Sequence, residues 1–115
     1  MALTAKMVTI DCADPRRLAE FWTRALDYRV AGEWDGYVLL VPAKGADRMP
    51  LGLQTVPEPR VAKNRVHIDF GAADRPAEVA RLIELGASLV REEKAGDNAW
   101  SVLEDPEGNC FCVSG

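Results

Sequence analysis

Two stretches of this chain repeat one another. Met7-Val8-Thr9-Ile10-Asp11 and Arg65-Val66-His67-Ile68-Asp69 both read as strands and share the core Val-x-Ile-Asp. Each is followed by an acidic residue (Asp14, Asp74), a proline (Pro15, Pro76) and an amphipathic helical segment. Each helical segment closes on a leucine and a turn, Leu26-Asp27-Tyr28 in the first half and Leu85-Gly86-Ala87 in the second. The spacing from Met7 to Asp14 equals that from His67 to Asp74. A self-similar chain of this kind is most simply a duplicated unit.

The elements follow from local signals. Lys6 to Cys12 reads as a strand. Asp14 is a good helix cap, with Pro15 at the first helical position. Leu18, Phe21, Trp22, Ala25 and Leu26 keep the spacing of one apolar helix stripe, and the helix should end near Asp27. Tyr28–Trp34 and Tyr37–Val41 are strands around the hairpin turn Asp35-Gly36. The continuous apolar run of the second predicts burial on both faces. A polar loop, Pro42 to Pro50, leads to a fourth strand at Leu51–Val56. Pro57-Glu58-Pro59 is held extended by its prolines and marks a linker.

The second half repeats the order. Val66–Phe70 is a strand, and Ala77–Leu85 a helix with Val79, Leu82 and Ile83 inward and Gly86 as its stop. Ser88–Glu92, Trp100–Leu103 and Cys110–Val113 are strands, separated by turns at Gly96-Asp97-Asn98 and Asp105-Pro106-Glu107-Gly108. Each half is therefore βαβββ. At 115 residues the chain is expected to be one domain with a real core. Module one spans 1–56, a linker 57–63 and module two 64–115.

Charge and cysteine usage narrow the setting. The formal net charge of -4 argues against nucleic acid, which demands a clustered basic surface. No apolar run approaches a bilayer span, and no secretory signal is visible at the start of the sequence, so no membrane partner is expected. Cys12, Cys110 and Cys112 make an odd count with a Cys-x-Cys pair, a poor disulfide framework that fits a reducing cytoplasm.

The paired βαβββ pattern resembles the vicinal oxygen chelate superfamily, which includes glyoxalase I, bleomycin-resistance proteins, fosfomycin-resistance enzymes and extradiol dioxygenases. The resemblance rests on Val8-Thr9-Ile10-Asp11 with Asp14, on Phe21-Trp22, on Asn64 to Asp69, and on the turn Asp105-Pro106-Glu107-Gly108-Asn109 before the last strand. Within the superfamily the chain looks like the short glyoxalase-like domain proteins. The resemblance implies an α+β fold whose two modules form a cupped mixed sheet. It implies a homodimer, and a ligand position on the first and last strand of each module. Carried onto this chain, those positions are Met7 and His67 at the openings and Gln54 and Cys112 at the closings. Metal-bearing relatives want imidazole and carboxylate there. Here a thioether and a cysteine replace two of them, so no metal and no cofactor are expected.

Each candidate also has a plain structural role. His67, the only histidine, could be a hydrogen-bonded core residue, and one imidazole alone cannot hold a divalent ion. Cys110 and Cys112 share a strand face; they read either as two small buried hydrophobes or as a soft thiolate site for zinc or copper with His67. Trp34 and Trp100 flank turns, where they could stand at a pocket mouth or a dimer contact, and with Tyr37 they could line a cavity for a flat ligand. Asp11 and Asp69 end their strands, where capping of nearby amides is the simplest role for both.

The expected function is metal-free binding of a small molecule in a cavity lined by Met7, Thr9, Gln54, His67 and Cys112, with Trp34 and Trp100 at its edge. One alternative is a glyoxalase-like enzyme of lyase, isomerase or dioxygenase type, with His67 as acid–base. The other is a structural or regulatory homodimer with a vestigial pocket.

Overall fold

Both helices begin on an aspartate cap in the computed structural model, which describes residues 2–45 and 47–115. At the head of α1 (Pro15–Leu26) the Asp14 carboxylate accepts a hydrogen bond from the Arg17 amide at 3.2 Å. At the head of α2 (Arg75–Leu85) Asp74 accepts one from the Ala77 amide at 3.2 Å. Both helices stop on a left-handed residue, Asp27 with φ 58° and Gly86 with φ 125°. The two junctions that look alike in sequence thus share a positive-φ stop, with different caps: the Asp27 amide donates to the Thr23 carbonyl and the Gly86 amide to the Ile83 and Leu82 carbonyls.

The chain divides into two compact units, one up to Pro59 and one from Arg60. In the first, β1 (Val8–Cys12), β2 (Tyr28–Trp34), β3 (Tyr37–Pro42) and β4 (Leu51–Thr55) form a four-stranded sheet in the order β1-β4-β3-β2. In the second, β5 (Asp69–Gly71), β6 (Ser88–Ala95), β7 (Asn98–Glu104) and β8 (Cys110–Ser114) repeat it as β5-β8-β7-β6. The first and last strands of each unit pair in parallel, and the remaining ladders are antiparallel. The expected mixed sheet therefore resolves into two four-stranded mixed sheets, one per module. Both second strands carry a bulge at the same place, after Val30 and after Leu89.

In module one α1 lays Leu18, Phe21 and Trp22 on one face of its sheet, opposite Val38, Leu40, Leu51 and Leu53, all buried. Burial of each such side chain contributes about 1.5–3 kcal/mol. The run Tyr37–Val41 is not buried on both faces. Val38 and Leu40 are covered, whereas Tyr37, Leu39 and Val41 are half-buried, because the helix covers only one side. In module two Val79 and Leu82 of α2 face Leu103, Phe111 and Val113. Ile83, expected inward, is 44% exposed and lies at the border of the stripe.

One turn, between β7 and β8, is held by its own side chains and backbone. The buried Asp105 carboxylate accepts from the Glu107 and Asn109 amides at 2.9 and 3.0 Å and from the Asn109 side-chain amide at 3.2 Å. Gly108, with φ 86°, leaves room for the Arg60 guanidinium where a Cβ would collide. The second half of the expected linker is thus docked on module two. Among the described residues no helix is long and apolar enough to cross a membrane. The three cysteines are buried and none is in a disulfide.

Candidate functional site

Alternation along the strands of module two places Cys110, Cys112 and Ser114 on the face turned away from α2, together with Trp100 and Val102. The ladder register joins them into a row across the whole sheet. Asp69 pairs with Cys112, Cys112 with Val102, and Val102 with Arg91. His67 and Lys63, just before β5, complete a pocket of about 530 Å³ lined also by Trp100 and Ser114. Its floor is apolar (Trp100, Val102, Cys112), and its walls carry the charges of Lys63, Asp69 and Arg91 beside the His67 imidazole.

The His67 Nε2 lies 3.3 Å from an Asp69 carboxylate oxygen, with His67 36% and Asp69 73% exposed at the side chain. The ligating atoms of His67, Asp69 and Cys112 all fall within 4.8 Å of one another. Burial pushes the Cys112 thiol up from its ordinary range, and the neighbouring Asp69 carboxylate adds to the effect by charge and by accepting a hydrogen bond. Lys63 opposes this weakly. The group is a protonated thiol at neutral pH rather than an activated nucleophile.

Two expectations about this corner need correcting. The second opening strand was expected at Val66–Phe70, with His67 inside it; β5 starts only at Asp69, and Val66 is 84% exposed. Asn64 supplies the reason. Its side-chain amide donates to the Cys110 carbonyl at 3.1 Å and to the Val66 carbonyl at 2.7 Å, and its oxygen accepts from the Cys110 amide at 2.7 Å. One side chain thus takes the backbone partners that a strand would have used. His67 accordingly precedes an edge strand. Asp69 opens its strand rather than ending it, and its carboxylate faces His67 instead of capping amides.

Module one shows the same positions with different contents. The helix caps (Asp14, Asp74), the bulges and the ladder rows together match Met7 with His67, Thr9 with Asp69 and Gly52 with Cys112. The opening pair Met7 and His67 agrees with the sequence. Gln54, however, lies two residues beyond the position equivalent to Cys112, which is Gly52. The shared Val-x-Ile-Asp is likewise two residues out of structural register. A two-residue slip keeps every side chain on its own face, so hydrophobic pattern alone does not expose it.

The Tyr37 ring fills what the module-one residues leave. Its hydroxyl lies 3.4 Å from the Thr9 hydroxyl and donates to the Met7 sulfur at 3.7 Å. A Cβ on Gly52 would strike that hydroxyl. Trp34 packs beside Tyr37 with ring centroids 6.1 Å apart, and Gln54 lies opposite it in the ladder. Of the expected site residues, His67, Cys112 and Trp100 therefore come together in the module-two pocket. Met7, Thr9, Gln54 and Trp34 gather around Tyr37 on module one. Sequence reasoning missed Lys63, Arg91, Val102 and Ser114 and misassigned Asp69. Only the Asp69-Cys112-Val102-Arg91 register could have revealed most of them.

The family described as a glyoxalase-like domain matches residues 7–114. None of the curated proteins matches the chain. Among solved structures, the fosfomycin resistance protein FosX from Listeria monocytogenes, in complex with Mn(II) and dihydroxypropylphosphonic acid, superposes with TM-score 0.81 at 13% identity, covering 99% of this chain and 90% of that one. FosX from Mesorhizobium loti gives TM-score 0.76 at 15% identity, covering 99% and 92%. A glyoxalase/bleomycin resistance protein/dioxygenase family enzyme from Burkholderia phytofirmans gives TM-score 0.76 at 17% identity, covering 95% of each chain. At these identities the likeness is one of fold.

Proposed function

The chain belongs to the glyoxalase-like domain family, and from that premise we propose that it is a small-molecule-binding protein whose ligand occupies the module-two pocket. The carrying observation is the row Asp69-Cys112-Val102-Arg91 beneath a cavity of about 530 Å³. Ligand sites are typically concavities of about 300–1,000 Å³ with an apolar lining and a few placed polar groups. Trp100 and Val102 offer an apolar floor for a flat organic body. Lys63 on the wall favours a ligand that carries an anionic group, with Arg91 beside it held by Glu93 at 2.6 Å.

Binding proceeds here without the metal seen in the Listeria FosX complex. Manganese prefers carboxylate, carbonyl and water oxygens in six-coordinate geometry. The donors present are one thiol, one imidazole and one carboxylate, which do not suit it. No step is therefore assigned to that ion.

A second reading, an enzyme with His67 as acid–base, has the His67–Asp69 pair at 3.3 Å in its favour. A carboxylate in that place orients an imidazole.

The test is a thermal-shift screen of metabolites, run with chelator present. The reading expects a hit whose binding is lost in Trp100→Ala and weakened in His67→Gln. A hit indifferent to both substitutions would overturn it. Chemical change of the hit during incubation, abolished by His67→Gln, would select the enzyme.

A further inference from the structure

The other face of the module-two sheet, the one α2 covers, holds a cavity of its own. Glu92, Lys94, Ala99 and Ser101 alternate with Arg91, Trp100 and Val102 along β6 and β7, and so face the opposite way. With Arg75, Pro76 and Val79 of α2, the residues Glu92, Lys94 and Ala99 line a cleft of about 470 Å³, a size in the range of small-molecule sites.

The charged groups of this cleft are only partly engaged. Arg75 Nη1 donates to Glu92 Oε2 at 2.7 Å and to the Ser101 hydroxyl at 2.8 Å, and that hydroxyl donates to the same Glu92 oxygen at 2.7 Å. Ser101 is fully buried, and the Arg75 side chain is only 18% exposed. The Arg75 Nε–H is shut off from solvent and has no acceptor among the described residues. A buried donor in that state costs stability until an acceptor reaches it. Among the described residues, Glu92 Oε1 and the exposed Lys94 ammonium also make no hydrogen bond. The fold does not demand this arrangement. In module one the matching ladder pair is Glu33 with Val38, and the Arg16 that meets Glu33 at 2.8 Å is 82% exposed. Ser101, in place of that buried valine, gives the module-two arginine a second acceptor and draws it under cover.

We propose that this cleft is a second ligand site, which takes a zwitterion of the α-amino acid class with an apolar side chain. The ligand carboxylate accepts from the Arg75 Nε–H and faces Lys94. Its ammonium donates to Glu92 Oε1. Pro76, Val79 and Ala99 form the apolar wall against which its side chain packs. Charge decides the class. A lone anion would meet Glu92 beside the two cations, and a lone cation would meet Arg75 and Lys94. A zwitterion leaves neither charge unmatched. Glu93, also on the cleft, is already held by Arg91 at 2.6 Å. This inference goes beyond the pocket of His67 and Cys112 and does not depend on it.

Isothermal titration of the whole chain with L-valine tests the proposal. Isovalerate and isobutylamine serve beside it as the same molecule without its amine and without its carboxylate, and L-leucine and L-phenylalanine enlarge its side chain. At least one of the three amino acids is expected to bind, at one site per chain. For valine, each single-charge analogue should bind at least about tenfold more weakly, as expected for a hydrogen bond to a charged group. Arg75→Lys keeps the charge beside Glu92 but loses the Nε–H, and should weaken the bound amino acid at least about tenfold. Lys94→Met, at an exposed position, should weaken it several-fold. Should Arg75→Lys fail to fold, Lys94→Met decides alone. The proposal is overturned if none of the three amino acids binds, if either analogue binds as tightly as valine, or if affinity is unchanged in either folded variant. Loss of the amino acid in His67→Gln would place it in the other pocket and overturn the proposal equally. A metabolite hit in that other pocket, with no amino acid bound here, sinks this inference and leaves the small-molecule reading standing.

Discussion

The Tyr37 hydroxyl sits over the α-carbon of Gly52, on the spot where a side chain at that position would begin. The same ladder position in module two holds the Cys112 thiol. One sheet face therefore carries a phenol plug and the other a pocket, although both come from a repeated sequence.

Gly52→Ala is expected to destabilise the protein by about 1–3 kcal/mol, the usual cost of overpacking a fitted contact. The nearest obstacle is the Tyr37 ring, followed by the Thr9 hydroxyl. Tyr37→Leu should relieve most of the cost, with a coupling of about 1 kcal/mol in a double-mutant cycle. Urea unfolding of the four proteins measures it. Equal costs on both backgrounds would place the obstacle elsewhere.

Asn64 makes three hydrogen bonds, two of them with Cys110. Asn64→Ala should cost about 1–3 kcal/mol and speed hydrogen exchange at the Cys110 amide. Asn64→Asp keeps the acceptor for that amide while losing both donors. Its exchange rate should fall between the other two. An unchanged Cys110 amide in Asn64→Ala would show that the clamp does not hold β8.

The Cys112 thiol should alkylate slowly at neutral pH. Burial and then Asp69 hold its proton on, so the folded chain ionises it later than the unfolded chain does. That preference stabilises the fold fully below the ordinary thiol range, near about pH 8.5. It fades as pH rises from there through the raised value of the folded state. Iodoacetamide labelling followed by mass spectrometry reads the first effect, and urea midpoints across that range read the second. Asp69→Asn should speed labelling of Cys112 and shrink the alkaline loss. Faster labelling of Cys112 than of an unstructured thiol would contradict both statements.

Asp105 is buried at 3% exposure and accepts three hydrogen bonds inside its turn. Asp105→Ala should cost about 1–3 kcal/mol and weaken ligand binding only in proportion to unfolding. Thermal melts paired with titration of a hit from the metabolite screen separate the two. A selective loss of binding in a stable variant would give this turn a direct part in the pocket.

The fold was legible because its signals are local. Asp14-Pro15, Asp35-Gly36, Leu85-Gly86 and Asp105-Pro106-Glu107-Gly108 each act within a few residues, and each falls where the pattern puts it. β5 was overextended because Asn64 competes with its backbone, and a side chain in that role carries no periodicity. The site was half legible. His67, Cys112 and Trp100 came from position along the chain. Asp69 and Arg91 owe their places to cross-strand register, which a slip of two residues disguises. Gln54 failed as the counterpart of Cys112 through that same slip.

Module one is in this sense a blank copy of module two. Its frame of caps, bulges and ladder rows is intact, and Tyr37 seals the place where chemistry would be written. Met7→His, Thr9→Asp and Gly52→Cys, with Tyr37→Ala to clear the space, would transcribe the open half onto the sealed one. The chain thus carries a spare template on which a second and different specificity could be installed without touching the first.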